Sequence, residues 1–260
     1  MAYEYIQVER REHVLVVTIN RPERRNALHP PTSYELEQAF DAYAADDQLW
    51  VSIVTGAGST FCSGNDLKDA ALGEERHAEL NRKRKAGFGG LCDRHNLFKP
   101  VIAAVNGAAL GGGLEVVLAC DIVVAGKGAT FAMAEPRWGR FAKGGAMYRL
   151  PRMVPQKLAL GLMLTGMTIS AEEAHRVGIV NEVVPDEQVL AAALRWAGEI
   201  LKCAPIAVQV TKQALMTAHL SLEDAIHREL PLYQQAMASP DRVEGTRAFV
   251  EKRPPRWSGR

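Results

Sequence analysis

The sequence predicts an α/β fold built from parallel strand-helix-strand crossovers and closed by a run of C-terminal helices. Three short apolar runs, Val51 to Thr55, Val101 to Val105 and Ile122 to Ala125, are unbroken rather than alternating, the pattern of strands covered on both faces. Helical period separates the last two of them, which points to crossovers with parallel pairing. After about residue 150 helical period dominates, and residues 201–260 hold no plausible strand.

In chain order, His13 to Asn20 is rich in β-branched residues and stops at Arg21-Pro22, so it pairs with Tyr5 to Arg10 as a hairpin. Pro30-Pro31-Thr32-Ser33 supplies the start signal for a helix over Tyr34 to Ala45. The strand Val51 to Thr55 runs into the turn Gly56-Ala57-Gly58-Ser59. Leu67 to Gly90 is polar with poor hydrophobic spacing, which suggests a mobile loop and a solvated helix, Arg82-Lys83-Arg84-Lys85 being its exposed face. A helix is expected from about Gly112 to Cys120. Further helices are expected over Pro155 to Thr165, Ser170 to Val177, Asp186 to Lys202, Pro205 to Thr217, Leu222 to Ala238 and Pro240 to Glu251. Ser170 and Glu173 form a capping box, and Gly178 stands where that helix ends. Residues 1–200 thus read as the core and 201–260 as a helical region that packs on the core or on another subunit.

At 260 residues and 47% hydrophobic content the chain suits one large domain with an appendage. A net charge of +1 gives no reason to expect a nucleic-acid partner. No apolar stretch reaches the roughly 20 residues that span a bilayer. The four cysteines show no C-x-x-C spacing and the N-terminus no apolar leader, so a reducing, cytoplasmic setting is the expectation. The seven histidines fall at no recognisable ligand spacing, and no metal is expected.

Chemistry concentrates in Val101 to Asp121, where a buried strand leads through Gly111-Gly112-Gly113 into a helix whose first turn carries Glu115. Successive glycines let backbone N–H groups approach a ligand, and a helix N-terminus favours developing negative charge. Phe61-Cys62-Ser63-Gly64-Asn65-Asp66-Leu67-Lys68 follows the preceding strand in the same way. If the two strands are neighbours, the N–H groups near Gly64 and Gly112 can converge on one oxygen. Otherwise both are ordinary strand-to-helix turns.

These two segments, with Arg21-Pro22, Asn26-Ala27-Leu28, Cys120-Asp121 and the terminal Phe249-Val250-Glu251-Lys252-Arg253, resemble the crotonase, or enoyl-CoA hydratase/isomerase, superfamily over essentially the whole chain. The resemblance implies a crotonase-like ββα spiral core, a C-terminal trimerisation region, and trimers paired into hexamers. It makes the backbone N–H groups of Asn65 and Gly112 the oxyanion donors. It makes Glu115 the base that activates water for attack at C3 of a 2-enoyl thioester, and Glu135 the proton donor at C2. Close together and away from solvent, the two carboxyls should titrate as a pair. Read alone, Glu115 complements a helix dipole and Glu135 is a loop carboxylate. Coenzyme A enters as part of the substrate rather than as a cofactor. By resemblance Arg24 and Lys68 lie near its nucleotide, with Phe249 and Lys252 reaching in from the C-terminal helix of a neighbouring subunit.

The second signature departs from the family pattern, with Ala134 and Ala142 where proline is common and Lys143 where glycine is common. A lysine there could pair with Glu135 or with an acidic acyl tail. The runs Asn96 to Gly107 and Phe249 to Arg260 resemble the carnitinyl-CoA dehydratase branch, whose trimethylammonium substrate a pocket-facing Lys143 would repel. Retention of both glutamates favours hydration over isomerisation. Two other readings stay open: thioester hydrolysis with Cys62 or Ser63 as nucleophile and His95 as base, and an acyl-CoA-binding scaffold without catalysis.

Overall fold

A computed structural model of the chain describes residues 3–217 and 220–259; Met1, Ala2 and Arg260 of the quoted termini lie outside them. Its strands are β1 (Ile6–Arg11), β2 (Val14–Ile19), β3 (Val51–Gly56), β4 (Thr60–Cys62), β5 (Val101–Val105), β6 (Ala108–Leu110), β7 (Ile122–Gly126), β8 (Thr130–Ala132), β9 (Thr168–Ser170) and β10 (Glu182–Val184). Its helices are α1 (Pro30–Ala45), α2 (Leu67–Ala70), α3 (Ala78–Lys83), α4 (Gly112–Ala119), α5 (Ala146–Met153), α6 (Gln156–Thr165), α7 (Ala171–Arg176), α8 (Val189–Leu201), α9 (Pro205–Leu215), α10 (Leu222–His227), α11 (Pro231–Ala238) and α12 (Pro240–Glu251).

The apolar runs form a six-stranded sheet in the order β1-β2-β3-β5-β7-β10, parallel except for the β1-β2 hairpin. Both faces are covered, which is why its strands read as continuous hydrophobic runs. Val14, Val16, Val51, Ile53, Ile102, Ala104 and Val124 face α8. Alternate residues Leu15, Val17, Ile19, Val54, Ala103, Val105 and Val123 join Phe40 and Tyr43 of α1 and Leu114 and Val117 of α4 in the larger core.

A second sheet, β4-β6-β8-β9, supplies the second strand of each unit in the ββα spiral that the family resemblance implies, although local patterning does not announce it. Its strands are three residues long, too short to show a period. Each of β3, β5 and β7 passes through a tight turn into β4, β6 or β8, so the chain steps between the two sheets in a ββα repeat. Asparagines hold the corners. Asn26 Nδ2 donates to Ala57 O (2.9 Å) and Thr60 O (2.6 Å), and Asn106 Nδ2 donates to Gly56 O (2.8 Å) and Gly58 O (2.7 Å).

The helices follow expectation with local corrections. Helix α1 starts at Pro30 rather than Tyr34, because His29 caps it by accepting from Thr32 N and proline is favoured at the first helical position. The expected helix over Leu222 to Ala238 is two, broken at Arg228 to Leu230, because Pro231 restricts the residue before it and has no N–H to continue the ladder. Helix α5 was missed: Pro151 and mixed polarity hide its period. Ser170 caps α7 by accepting from Glu173 N, as read. Residues 67–90 form α2, α3 and 3-10 turns, with Arg82, Lys83 and Lys85 exposed.

Candidate active site

Strands β4 and β6 are parallel neighbours, pairing Thr60 with Ala108 and Cys62 with Ala109. The chain therefore leaves them side by side at Gly64-Asn65 and Gly111-Gly112. Gly64 has φ +92°, and a Cβ there would stand 2.7 Å from Leu110 O and 3.1 Å from Gly112 N. Only glycine allows both that conformation and that approach.

Asn65 bridges Leu28: Leu28 N donates to Gly64 O (2.8 Å) and Asp66 N to Leu28 O (3.0 Å). In a parallel bridge the central residue's own N–H points away from its partner, so that of Asn65 is turned outward. Gly112 opens α4, where the first N–H groups have no intrahelical acceptor. Among the described residues neither the Asn65 nor the Gly112 N–H has an acceptor. The segment is bolted from below by a buried ion pair, Arg21 Nη2 to Asp66 Oδ2 at 3.0 Å, while Arg21 also donates to Ala27 O. Burial opposes ionisation of Asp66, but the Asp69 N–H and the Arg21 guanidinium outweigh it and hold the carboxyl below its usual range.

Glu115 stands on the first turn of α4, 4% exposed. Burial is the main influence and pushes its pKa up to about 7; the Glu135 carboxyl adds to this, while the N–H groups of Ala146 and Gly144 and the Arg149 charge oppose it. Ala146 N donates to Oε1 at 3.2 Å. A Cβ at Gly144 would fall 2.6 Å from Oε2, so only a glycine fits beside this carboxyl.

Glu135 opens a 3-10 helix, Glu135 to Trp138, after β8. Its carboxyl lies over Gly111, 3.1 Å from where a Cβ would be. Burial raises its pKa, and its Oε2 is buried with no partner among the described residues. Its own backbone N–H opposes that rise in part, so the carboxyl holds its proton more tightly than a free glutamate. The glycine turn thus lies between two carboxyls that sense each other, with a free N–H at Gly112. Phe88 closes the other side: a Cβ at Gly112 would meet its ring at 2.5 Å. Sequence reasoning missed Phe88, whose only signal is a lone aromatic among Gly87, Gly89 and Gly90.

Arg24 and Lys68 are exposed; Arg24 is near enough to act electrostatically on Asp66, and Lys68 is two residues along from it on α2. Phe249 and Lys252 are not brought to this site within the chain. Phe249 is 86% exposed on α12, which packs on α11. The tail beyond α12 reaches Lys202 and Trp50, and Trp50 precedes β3, whereas the site lies beyond the other end of that strand. Lys143 is exposed and makes no ion pair with Glu135 among the described residues. Cys62 is fully buried with its thiol pushed up to about 12 by burial, and His95 is exposed against Asp93 at 2.9 Å, so the structure does not assemble a Cys62–His95 nucleophile and base. Among the described residues no group of three or more His, Cys, Asp or Glu is placed to hold a metal ion, and no helix is long and apolar enough to cross a membrane.

Comparison with known proteins gives a consistent result. Residues 9–260 match the family model described as enoyl-CoA hydratase/isomerase. The chain is 39% identical over 263 residues to the carnitinyl-CoA dehydratase of Escherichia coli strain K12, covering 99% of each. Among solved structures it resembles an enoyl-CoA hydratase from Mycobacterium tuberculosis H37Rv, with TM-score 0.91, 37% identity and 98% and 99% coverage of the two chains. It also resembles an enoyl-CoA hydratase from Bacillus anthracis, with TM-score 0.90, 34% identity and 99% and 100% coverage.

Proposed function

The chain belongs to the enoyl-CoA hydratase/isomerase family, and on that premise we propose that it hydrates a 2-enoyl-CoA thioester reversibly. The observation that carries the reading is the pair of carboxyls, the buried Glu115 and the half-buried Glu135, placed around the turn that presents the free Gly112 N–H. The thioester oxygen takes hydrogen bonds from the N–H groups of Asn65 and Gly112, which stabilise the enolate as charge builds on it. Glu115, ionised, takes a proton from water as its oxygen bonds to C3. Glu135, protonated, delivers a proton to C2, and the product carries the elements of water across the former double bond. Dehydration is the reverse.

Coenzyme A is bound as part of the substrate, with Arg24 and Lys68 beside its phosphates and Phe249 and Lys252 supplied by an adjoining copy. The exposed apolar residues Leu215, Leu222, Ile226, Val243, Phe249 and Val250 of the C-terminal helices support assembly as trimers or pairs of trimers. Light scattering that finds a stable monomer removes this part of the reading. The 39% identity to a carnitinyl-CoA dehydratase supports a second substrate, carnitinyl-CoA, on the same machinery. The exposed Lys143, next to the Gly144 that touches Glu115, weighs against a cationic acyl group there.

The test is loss of the enoyl-thioester absorbance with crotonyl-CoA and with 2-enoyl chains of different length and charge, and gain of that absorbance with carnitinyl-CoA, which enters on the hydrated side. Binding of thioesters with no turnover of any leaves a scaffold, and release of free CoA leaves a hydrolase.

A further inference from the structure

Beside the proposed reaction centre stands an aromatic ring, that of Phe88, which has no proton to transfer. A Cβ at Gly112 would fall 2.5 Å from its Cε1 and 2.7 Å from its Cζ. The φ of Gly112 lies outside the left-handed region, so it is the ring, and not the backbone, that excludes a side chain there. Residues three apart on a helix share a face, and Glu115 follows Gly112 by three in α4. The ring therefore stands on the helix face that carries the Glu115 carboxyl. The Glu135 carboxyl lies over the adjacent Gly111. A thioester whose oxygen meets the Gly112 N–H thus lays C2 and C3 in a space bounded by two carboxyls and this ring.

The segment that carries the ring is pinned on three sides. Towards α1, Lys85 N donates to Glu37 Oε1 at 2.8 Å and Gly89 N to Ser33 Oγ at 3.4 Å. Towards α4, Gly89 has φ +61° and a Cβ there would stand 2.5 Å from Val116 Cγ2, so the backbone lies directly on the helix. Towards α5, Arg149 Nη2 donates to Cys92 O (2.8 Å), while its Nη1 donates to Gly144 O (3.0 Å) in the turn that cradles Glu115. Arg94 Nε closes the segment from behind by donating to Gly90 O at 2.9 Å. Anchored in this way, the ring yields to an incoming group only by breaking those contacts.

Resting on the hydratase reading, we propose that Phe88 is a specificity-determining residue: its ring is a fixed wall beside the reacting carbons that confines turnover to short acyl chains. Each methylene that an apolar pocket fails to accommodate changes the specificity ratio by roughly tenfold or more, so a wall this close to C3 discriminates within a few carbons.

The experiment is steady-state kinetics with crotonyl-CoA, 2-hexenoyl-CoA and 2-octenoyl-CoA on the wild type, Phe88→Leu and Phe88→Ala, with thermal unfolding of each. The quantity read is the ratio of kcat/KM for crotonyl-CoA to that for 2-octenoyl-CoA within one protein, from which the amount of folded enzyme cancels. The wild type is expected to favour crotonyl-CoA. In Phe88→Ala the ratio should fall by roughly tenfold or more, with Phe88→Leu in between. A wild type that turns over 2-octenoyl-CoA as efficiently as crotonyl-CoA overturns the assignment. So does a Phe88→Ala ratio equal to that of the wild type, which leaves the ring a packing partner of Gly112 and nothing more. Should the alanine variant not fold, the leucine variant decides by the same ratio. Failure of the hydratase reading looks different, because the wild type then turns over none of the three thioesters, and the wall falls with it.

Discussion

Replacing Glu115 by glutamine is expected to stabilise the protein at alkaline pH while removing its activity. Burial lifts this carboxyl from its ordinary 4.5 to about 7. Between those values the unfolded chain has released the proton and the folded chain still holds it, so stability falls as pH rises through the window and the loss is complete above it. At about 1.4 kcal/mol per pH unit, a window from 4.5 to about 7 is worth about 3 kcal/mol. Glutamine keeps the shape, and its carbonyl can still accept from Ala146 N, but it carries no charge to desolvate. The assay is urea unfolding of both proteins near pH 4 and near pH 8, and the difference of differences cancels every other titrating group. The variant should gain about 3 kcal/mol on the wild type between the two pH values, with kcat down by roughly 10²- to 10⁴-fold. A stability difference that is the same at both pH values refutes the argument. Gain of stability with loss of turnover also separates a lost proton-transfer group from general damage, which lowers both.

His29 should show the opposite slope. Burial, aided by the Arg21 charge, lowers its pKa from 6.5 to about 4, so stability present above pH 6.5 is lost as pH falls towards 4, by about 3 kcal/mol. His29→Gln unfolding curves should lack that loss. Asp66→Asn leaves Arg21 buried without its counter-charge, a change expected to cost about 3–5 kcal/mol in chemical unfolding, and it should lower kcat by loosening Asn65. Gly112→Ala should clash with the Phe88 ring, and Phe88→Leu should restore part of the stability and activity. A double-mutant cycle with no coupling between the two would show that the ring is not what that glycine accommodates.

The large sheet was legible because its strands are buried on both faces, so Val51 to Thr55 and Val101 to Val105 announce themselves as apolar runs. Helix α7 was legible because Ser170 and Glu173 carry its start. The break before Pro231 was equally written in the sequence, and the proline signal should have outweighed the periodicity. Phe88 and Arg149 were not legible. Neither belongs to a local pattern: Phe88 matters through a ring edge against Gly112, and Arg149 through two carbonyls, at Cys92 and Gly144, of which the first is 57 residues away along the chain.

The same reasoning explains why the glutamate pair could be placed only through family resemblance. Gly64, Gly112 and Glu135 are gathered because β4, β6 and β8 are adjacent in the small sheet. Those strands are too short to declare themselves, and their order is set by what happens before them: β3, β5 and β7 lie side by side, and each turns a corner into the second sheet. Two of the residues that hold those corners, Asn26 and Asn106, sit within the quoted motifs, yet their side chains are spent on backbone carbonyls and not on a ligand. Part of what makes the motif recognisable is therefore architectural. The proposed chemistry rests on atoms that sequence cannot display: two N–H groups without acceptors among the described residues, and two carboxyls whose pKa values burial raises.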